Sequence, residues 1–154
     1  MPKNPVGAAL LLMALGLLPA NSSAWADDAK PAAANPPAAD APAYTIQDGH
    51  VDKGTFNGYR RYGESCLRCH GPDGAGSSYA PDLTNSLQTM TTDQIEEVVV
   101  NGRQNVTTSA SNVMPSFGTT EDVVEYLDDI YGYLKARADG KLPRGRPIRI
   151  GETE

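Results

Sequence analysis

Apolar side chains recur at helical spacing in three stretches of the chain. The first stretch is predicted to form a helix from Thr55 to His70, because large apolar side chains return every three or four residues. These side chains are Phe56, Tyr59, Tyr62 and Cys66. Gly58 and Gly63 interrupt the stretch and lower its helix propensity. The prediction therefore depends on the apolar face and not on the intrinsic preference of the residues.

The other two predicted helices have recognisable start and stop signals. One spans Thr91–Asn101, opens with the capping box Thr-x-x-Gln and stops before Gly102. The other spans Thr119–Ala138, opens with Thr-x-x-Asp and ends before Gly140. No stretch alternates regularly between apolar and polar residues, so no strand is predicted. The expected fold class is all-α, with three to five helices joined by long loops.

The N-terminal part of the chain resembles an export signal. Residues 1–26 are predicted to be a secretory signal peptide, because Lys3 precedes an apolar run at Ala8–Leu18 and Ala24-Trp25-Ala26 forms a small-x-small cleavage site. The apolar run is too short to span a bilayer. A membrane anchor and a buried helix are the alternative interpretations. No later segment is apolar enough to cross a membrane, so the mature chain is predicted to be periplasmic without a membrane span.

Composition divides the rest of the chain into three parts. Residues 27–43 are almost entirely Ala, Pro and Asp, which predicts a disordered linker. Residues 44–140 contain the predicted helices and form the expected folded domain. Residues 141–154 are interpreted as a basic, proline-containing C-terminal tail, with a partner-docking strap as the alternative. The basic residues of this segment are Lys141, Arg144, Arg146 and Arg149.

The charge balance restricts the class of partner. The 154-residue chain has 13 Lys and Arg residues against 19 Asp and Glu residues, a formal net charge of −6. This balance argues against a nucleic-acid partner, because proteins of that kind present basic surfaces to phosphates. An acidic surface is compatible with docking on a basic protein face, and equally with solubility alone.

The two cysteines of the chain fall in the sequence Cys66-Leu67-Arg68-Cys69-His70, which is the haem c attachment pattern. Each thiol can add to one haem vinyl group, and the two-residue gap on a helical turn lets both sulfurs reach neighbouring vinyls. His70 then directs its imidazole at the iron as the proximal ligand. The predicted cofactor is one covalently bound haem c.

Three other interpretations of the cysteine pair are a redox pair, a zinc site and a structural disulfide. A thioredoxin-like redox pair would follow a strand and precede a long helix, whereas here a glycine-rich loop begins at Gly71. A zinc site needs about four ligands, and His50 is the only other histidine. A structural disulfide would leave His70 without a role. Haem attachment accounts for all three residues of the pattern.

Met114 is predicted to be the distal iron ligand. It lies in a predicted loop just before a helix start, and Pro115 restrains the backbone beside its thioether. Ligation by Met and His suits an electron carrier. The alternatives are Met90, which directly precedes a predicted helix, and His50, which lies in a polar stretch. An open sixth position would indicate a haem enzyme or a gas-binding protein.

Four segments occur in the order found in class I cytochromes c, and the chain resembles that family: CHGPDGAGSSYAPDL, VVVNGR, NVMPSFG and EYLDDIYGYLKAR. The resemblance covers residues 54–137 and implies a small class I cytochrome c fold around one haem. It also implies that the Pro81 carbonyl accepts a hydrogen bond from His70, which fixes the ring and its tautomer. The first and last helices are then expected to cross at Gly58. The aromatic residues available there are Phe56, Tyr59, Tyr131 and Tyr133.

A narrower resemblance links the chain to the periplasmic cytochromes of methanol and other alcohol oxidation. It rests on GYRRYGESCLRCHGPDGAGSSYAPDL and DDIYGYLKARADGKLPRGRP. It implies a single-electron carrier, not an enzyme, that accepts electrons from a quinoprotein (PQQ-dependent) alcohol dehydrogenase. The electrons would pass to the respiratory chain through a terminal oxidase or another cytochrome. One group of these cytochromes has four cysteines, whereas this chain has two.

Overall fold

The computed structural model describes residues 43–106 and 111–152, all of which belong to the structural unit Ala33–Glu154. The predicted signal peptide (residues 1–26) and nearly all of the predicted linker (residues 27–43) lie outside the described residues and stay predictions. None of the helices described has the length and apolar character that crossing a bilayer requires.

The described residues form six α-helices, a 3₁₀ turn at Pro72–Gly74 and two antiparallel hairpins. The helices are α1 (Lys53–Ser65), α2 (Leu67–His70), α3 (Leu83–Thr89), α4 (Thr92–Asn101), α5 (Glu121–Glu125) and α6 (Leu127–Ala138). The hairpins pair β1 (Ile46–Gln47) with β2 (His50–Val51), and β3 (Arg103–Val106) with β4 (Ser111–Met114). The sequence pattern gives no sign of the hairpins, because strands of two and four residues are too short to show alternation.

The described helices exceed the predicted three to five because two predicted helices are divided and α3 is additional. Cys66, with φ −110°, separates α1 from α2. Tyr126, with φ −113° and ψ 24°, separates α5 from α6. The ring of Tyr126 is held against α1, since the Arg61 guanidinium lies 4.5 Å from its centroid and also pairs with Asp122 at 3.1 Å.

One predicted capping signal is confirmed and the other is wrong. At α4 the Thr91 hydroxyl accepts from the Gln94 N–H at 3.3 Å, and the Gln94 side chain accepts from the Thr91 N–H at 2.9 Å. The last helical segment starts later than the predicted Thr119. Thr120 precedes α5 without a side-chain cap, and its N–H donates to the Phe117 oxygen at 2.8 Å in a turn before the helix.

The core forms where α1 crosses α6. A β-carbon on Gly58 would lie 1.8 Å from the main-chain oxygen of Asp129, so the two backbones touch at this glycine. The fully buried ring of Tyr133 packs against Tyr59 and Tyr62, with ring centroids 5.6 and 5.5 Å away. Tyr133 is therefore the aromatic partner at the predicted crossing. The other buried apolar residues are Val51, Leu87, Val123, Ile130, Leu134, Ala136 and Leu142.

The C-terminal segment packs onto the domain, which differs from the tail that the sequence predicts. Leu142 and Pro147 are buried. The Val51 N–H donates to the Ile148 oxygen and the Ile150 N–H donates to the Val51 oxygen, both at 2.8 Å. Leu142 and Pro147 are interspersed among the arginines of the segment, and burying their apolar surface favours packing of the segment on the domain.

Candidate haem site

Helices α1 and α2 bring the cysteine pair and the histidine together at the start of a loop. Cys66 is partly buried, Cys69 is exposed, and His70 is buried with 7% of its surface accessible. No disulfide joins the two side chains. Burial, assisted by the neighbouring Cys69, raises the pKa of the Cys66 thiol to about 11. One helical turn thus carries two thiols and an imidazole in the order that haem attachment requires.

The imidazole of His70 is oriented by a main-chain oxygen. Its Nδ1 lies 3.0 Å from the oxygen of Pro81. Because a carbonyl oxygen can only accept, Nδ1 carries the proton, and Nε2 is the nitrogen with a lone pair for a metal. The contact that the family resemblance implies between Pro81 and His70 is therefore present in the structure.

Residues 71–77, here called the ligand loop, follow His70 and are held by the buried Tyr62. The Tyr62 hydroxyl donates to the Gly71 oxygen at 2.5 Å and accepts from the Gly74 N–H at 3.0 Å. Burial raises the pKa of Tyr62 to about 12, so the hydroxyl keeps the proton that it donates. One side chain therefore fixes both ends of the 3₁₀ turn.

The ligand loop also folds back on the helix that precedes it. The Gly76 N–H donates to the His70 oxygen at 2.8 Å, and the Ser77 hydroxyl donates to the Cys69 oxygen at 2.5 Å. Gly71 has φ +71°, and a β-carbon there would lie 2.4 Å from the Gly76 oxygen. Glycine is required at Gly71 by both its conformation and this close approach.

The oxygen of Pro81 is held in place by the start of α3. The Asp82 carboxylate accepts from the N–H groups of Thr84 and Asn85, at 2.7 and 3.3 Å. The hydrogen bond from the Thr84 hydroxyl, together with these N–H donors, lowers the pKa of Asp82 despite some desolvation. An ionised cap suits a helix N-terminus. The cap fixes the backbone next to Pro81 and so the partner of His70.

The sequence predicts Met114 in a loop just before a helix, but in the structure Met114 is the last residue of β4. It pairs with Arg103 in the ladder, and α5 begins only at Glu121. Helix α4 ends at Gly102, which has φ +76°; β3 follows directly, and β4 pairs antiparallel with it. Met114 is partly buried at the end of this hairpin.

The residues after Met114 are fastened to the end of α4. The Ser116 hydroxyl and the Gly118 N–H donate to the Val100 oxygen, at 2.5 and 3.0 Å. The N–H of Phe117 donates to the Val99 oxygen at 3.0 Å. The backbone on the C-terminal side of Met114 is therefore anchored to the end of α4 by three hydrogen bonds.

The two alternative ligands have different settings. Met90 is partly buried between two helices; it ends α3, and Thr91 caps α4 immediately afterwards. His50 lies in β2, and its Nδ1 is 3.0 Å from the Asp48 oxygen. It faces a cleft of about 310 Å³ that the C-terminal residues Ile150 and Glu152 also line.

The alternatives to haem gain no support from the geometry. Among residues 43–106 and 111–152, no three His, Cys, Asp or Glu side chains cluster as a metal site would require. The Cys-x-x-Cys pair follows helix α1, whereas a thioredoxin-like pair would follow a strand.

Comparison with known proteins identifies the family. Residues 55–134, just over half of the chain, match the family described as cytochrome c oxidase, cbb3-type, subunit III. Cytochrome c-555 from Methylococcus capsulatus is 42% identical over 106 residues, which cover 68% of this chain and 77% of that protein. The chain belongs to the class I c-type cytochromes.

Two further relatives agree with this class I cytochrome assignment. Cytochrome c-553I from Paracoccus denitrificans is 53% identical over 113 residues, which are 73% of this chain but 50% of that protein. The chain thus spans about half the length of this relative. The crystal structure of c-type cytochrome XoxG from Methylobacterium extorquens AM1 is 35% identical, with a TM-score of 0.58 and coverage of 73% of this chain and 75% of that one. The predicted small cytochrome c fold is confirmed.

A class I c-type cytochrome carries haem c covalently and transfers electrons, and it is not an enzyme; these predictions are confirmed at the level of the family. The donor set of this chain fits the cofactor: two thiols, an imidazole whose Nε2 is free of the Pro81 bond, and a partly buried thioether. The roles of the individual side chains stay predictions.

The residues that support the site were not found from the sequence. The sequence predicts Tyr62 only as part of an apolar face, and nothing in it indicates which groups the hydroxyl contacts. Asp82 has a recognisable signal, since an aspartate directly before an apolar residue, here Leu83, is a typical helix N-cap. Gly102 ends α4 as the sequence predicts, but its closeness to Met114 depends on the β3–β4 hairpin.

Proposed function

We propose that this cytochrome is a periplasmic single-electron carrier in which Cys66 and Cys69 hold the haem while His70 and Met114 ligate its iron. The observation that carries the proposal is the 3.0 Å hydrogen bond from His70 Nδ1 to the Pro81 oxygen. Such a bond fixes the tautomer and ring orientation of a ligating histidine and raises its basicity. It belongs to a buried imidazole directly after a Cys-x-x-Cys pair.

Haem c, when bound, supplies an iron that changes by one unit of charge. The contribution of the chain is to hold the ligand side chains still, so that little rearranges when the charge changes. Tyr62 and Ser77 anchor the ligand loop, and Asp82 anchors Pro81. A thioether in the distal position favours ferrous iron and gives a high reduction potential.

The proposed electron donor is a PQQ-dependent alcohol dehydrogenase, and the proposed acceptor is a terminal oxidase or another cytochrome. The support is the resemblance of residues 58–83 and 128–147 to the periplasmic cytochromes of methanol and alcohol oxidation. Electron-transfer contacts of this kind are small, below about 1,200 Å² in total. The acidic net charge of −6 suits docking on a basic face of the partner.

Stopped-flow mixing of the ferric holoprotein with a PQQ-dependent alcohol dehydrogenase tests the donor. We expect sharp ferrous c-type bands to develop only when the alcohol is present, and more slowly at high salt because charge steers the encounter. Ascorbate reduction of the same sample is the control. A holoprotein that ascorbate reduces and the dehydrogenase does not would refute this donor while leaving the carrier role intact.

The carrier role itself is tested by carbon monoxide. With both axial positions filled, the ferrous spectrum of the wild-type holoprotein should not change when carbon monoxide is added. Rapid binding would show an accessible sixth position and would favour the alternative, a haem enzyme or gas-binding protein.

The periplasmic location is proposed from the predicted signal peptide of residues 1–26. Cleavage after Ala26 would make Asp27 the first residue of the mature protein. Intact mass measurement of the protein from the periplasmic fraction tests this position. A purified soluble form that retains Trp25 would contradict it.

A further inference from the structure

The basic C-terminal segment forms a clasp that runs from α6 to β2. We define the C-terminal clasp as residues 142–150. At its first end the Arg137 guanidinium donates to the Leu142 oxygen at 2.6 Å. At its other end the clasp pairs with Val51 through the two 2.8 Å hydrogen bonds described above. Both ends of the segment are therefore fastened to the domain.

The middle of the clasp contacts the ligand loop through a single carboxylate. Asp73 accepts from the Arg144 Nε at 3.1 Å, from the Gly145 N–H at 3.0 Å and, at 3.5 Å, from the Tyr133 hydroxyl. The Asp73 side chain is 9% exposed, whereas that of Arg144 is 68% exposed. A buried carboxylate thus depends on two donors from the clasp and one from the core.

The backbone of the loop is shaped to present this carboxylate. Asp73 has φ +60°, a conformation that residues with a β-carbon rarely adopt. It lies in the 3₁₀ turn between Gly71 and Gly74, the two residues that Tyr62 holds. Because Asp73 is only three positions after His70, movement of the turn is transmitted over a very short length of chain.

The charges at this contact complement one another. Burial alone would raise the pKa of Asp73, but the hydrogen bonds from Gly145 and Arg144 and the charges of Arg137 and Arg144 lower it below its usual value. The carboxylate is therefore ionised at neutral pH. Because the Asp73 carboxylate is only 9% exposed, losing a hydrogen-bond donor would leave a mostly buried charge with fewer partners, which is unfavourable. Loop and clasp are expected to stay joined for this reason.

We propose that Asp73 and Arg144 are positioning residues that join the ligand loop to the C-terminal clasp and so keep His70 in its ligating orientation. The basic C-terminal segment then helps to orient the iron ligand of its own chain through contacts with the ligand loop. The proposal rests on the proposed function, because it takes His70 as the iron ligand.

Hydrogen exchange and proton NMR on the ferric holoprotein test the proposal with Asp73→Asn and Arg144→Gln. Both variants should speed exchange at the Gly74 and Gly76 amides by about tenfold to a hundredfold, as expected for a lost hydrogen bond to a charged group. The hyperfine-shifted ring resonances of His70 should move in the same direction in both variants. Because Arg144 is exposed, Arg144→Gln is expected to fold, so the exchange and NMR measurements can still be made if Asp73→Asn yields no holoprotein.

The direction of the NMR shifts separates positioning from simple charge. The two variants change the net charge in opposite directions, so a purely electrostatic effect would move the His70 resonances in opposite directions. Asp139→Asn is the matched control, because Asp139 accepts from the Tyr44 hydroxyl at 2.9 Å and pairs with Lys135 outside the ligand loop. It should change neither the exchange of the loop nor the His70 resonances.

Unchanged exchange at Gly74 and Gly76 in Arg144→Gln, or opposite shifts of the His70 resonances in the two variants, would overturn the proposal. Failure of the proposed function has a different signature. In that case the wild-type protein would itself lack hyperfine-shifted imidazole resonances. The exchange measurement would still report whether the clasp holds the loop.

Discussion

A β-carbon on Gly58 would lie 1.8 Å from the main-chain oxygen of Asp129 and 2.9 Å from the nitrogen of Ile130. Helices α1 and α6 therefore meet backbone to backbone at this residue. The close contact at Gly58 lets Tyr133 pack against the aromatic residues of α1. It also positions the end of α1, where Cys66 lies.

Gly58→Ala should destabilise the holoprotein by at least about 2 kcal/mol, because the helices must separate to admit the methyl group. Gly63→Ala in the same helix is the matched control, since a β-carbon there meets nothing within 4 Å. It should stabilise the protein by about 0.5–1 kcal/mol through higher helix propensity. Denaturant unfolding of both variants checks this, and a Gly58→Ala protein as stable as Gly63→Ala would contradict the close crossing.

The parts of the fold that the sequence predicts are those specified by neighbouring residues. The capping box of Thr91 and Gln94 lies within four residues, and it forms as predicted. The prediction that the first and last helices cross at Gly58 rests on the family resemblance. The hairpin of β3 and β4 could not be found in this way, because each strand has only four residues, too few to show a regular alternation.

In the candidate site, too, the features specified by neighbouring residues can be predicted and the contacts between distant residues cannot. The Cys-x-x-Cys-His pattern is contiguous and can be read directly, and the resemblance supplied Pro81. Asp73 contacts Arg144 and Gly145, which lie 71 and 72 positions further along the chain. No local pattern specifies a contact at such a distance, and the arginines of the C-terminal segment read equally well as a solvated tail.

Removing one attachment cysteine should leave at most one thioether. Cys66→Ala and Cys69→Ala are each expected to lower the yield of holoprotein strongly, because the haem completes a small core. Leu67→Ala, which changes the partly exposed residue between them, should retain both thioethers. Acid-acetone extraction and intact mass measurement check the linkage. Extraction of haem from the wild-type protein would exclude covalent attachment.

Asp129 gives a prediction for pH dependence. Burial, together with the nearby Asp52 and Asp128, raises its pKa above the usual 3.8, against the hydrogen bond from Asn57. A carboxyl group with a raised folded-state pKa destabilises the protein while it is ionised, and protonation relieves this as pH falls through that pKa. Asp129→Asn should therefore raise the melting temperature at pH 7.

The advantage of Asp129→Asn should shrink as the pH falls through the raised pKa towards 3.8. The reason is that the wild-type carboxyl becomes neutral in the folded state over that interval. Thermal melts from pH 7 to pH 3.5 measure the difference between the two proteins. A stability difference that stayed constant over this range would mean that the carboxylate charge is not its cause.

Gly102 should control the position of Met114. A β-carbon there would lie 2.7 Å from the Met114 oxygen and 2.8 Å from the Ser116 nitrogen, at φ +76°. Gly102→Ala is expected to displace the end of β4, lower the reduction potential and admit carbon monoxide. Gly140→Ala is the matched control: it has φ +68° but meets nothing within 4 Å. That variant should lose about 1 kcal/mol of stability and leave the iron unchanged.

The last prediction separates a carrier from a haem enzyme. Met114 should ligate the iron, because it ends a hairpin whose following residues are fastened to Val99 and Val100. Sulfur ligation should give the ferric protein a weak far-red charge-transfer band and a high potential. Met114→Ala should abolish the band, lower the potential and open the iron to carbon monoxide. Met90→Ala, at the junction of α3 and α4, should change none of these. A Met114→Ala protein that keeps the band would transfer the assignment to the other methionine, Met90. A wild-type protein that lacks the band would transfer it to His50 and give weight to an enzymatic or gas-binding role.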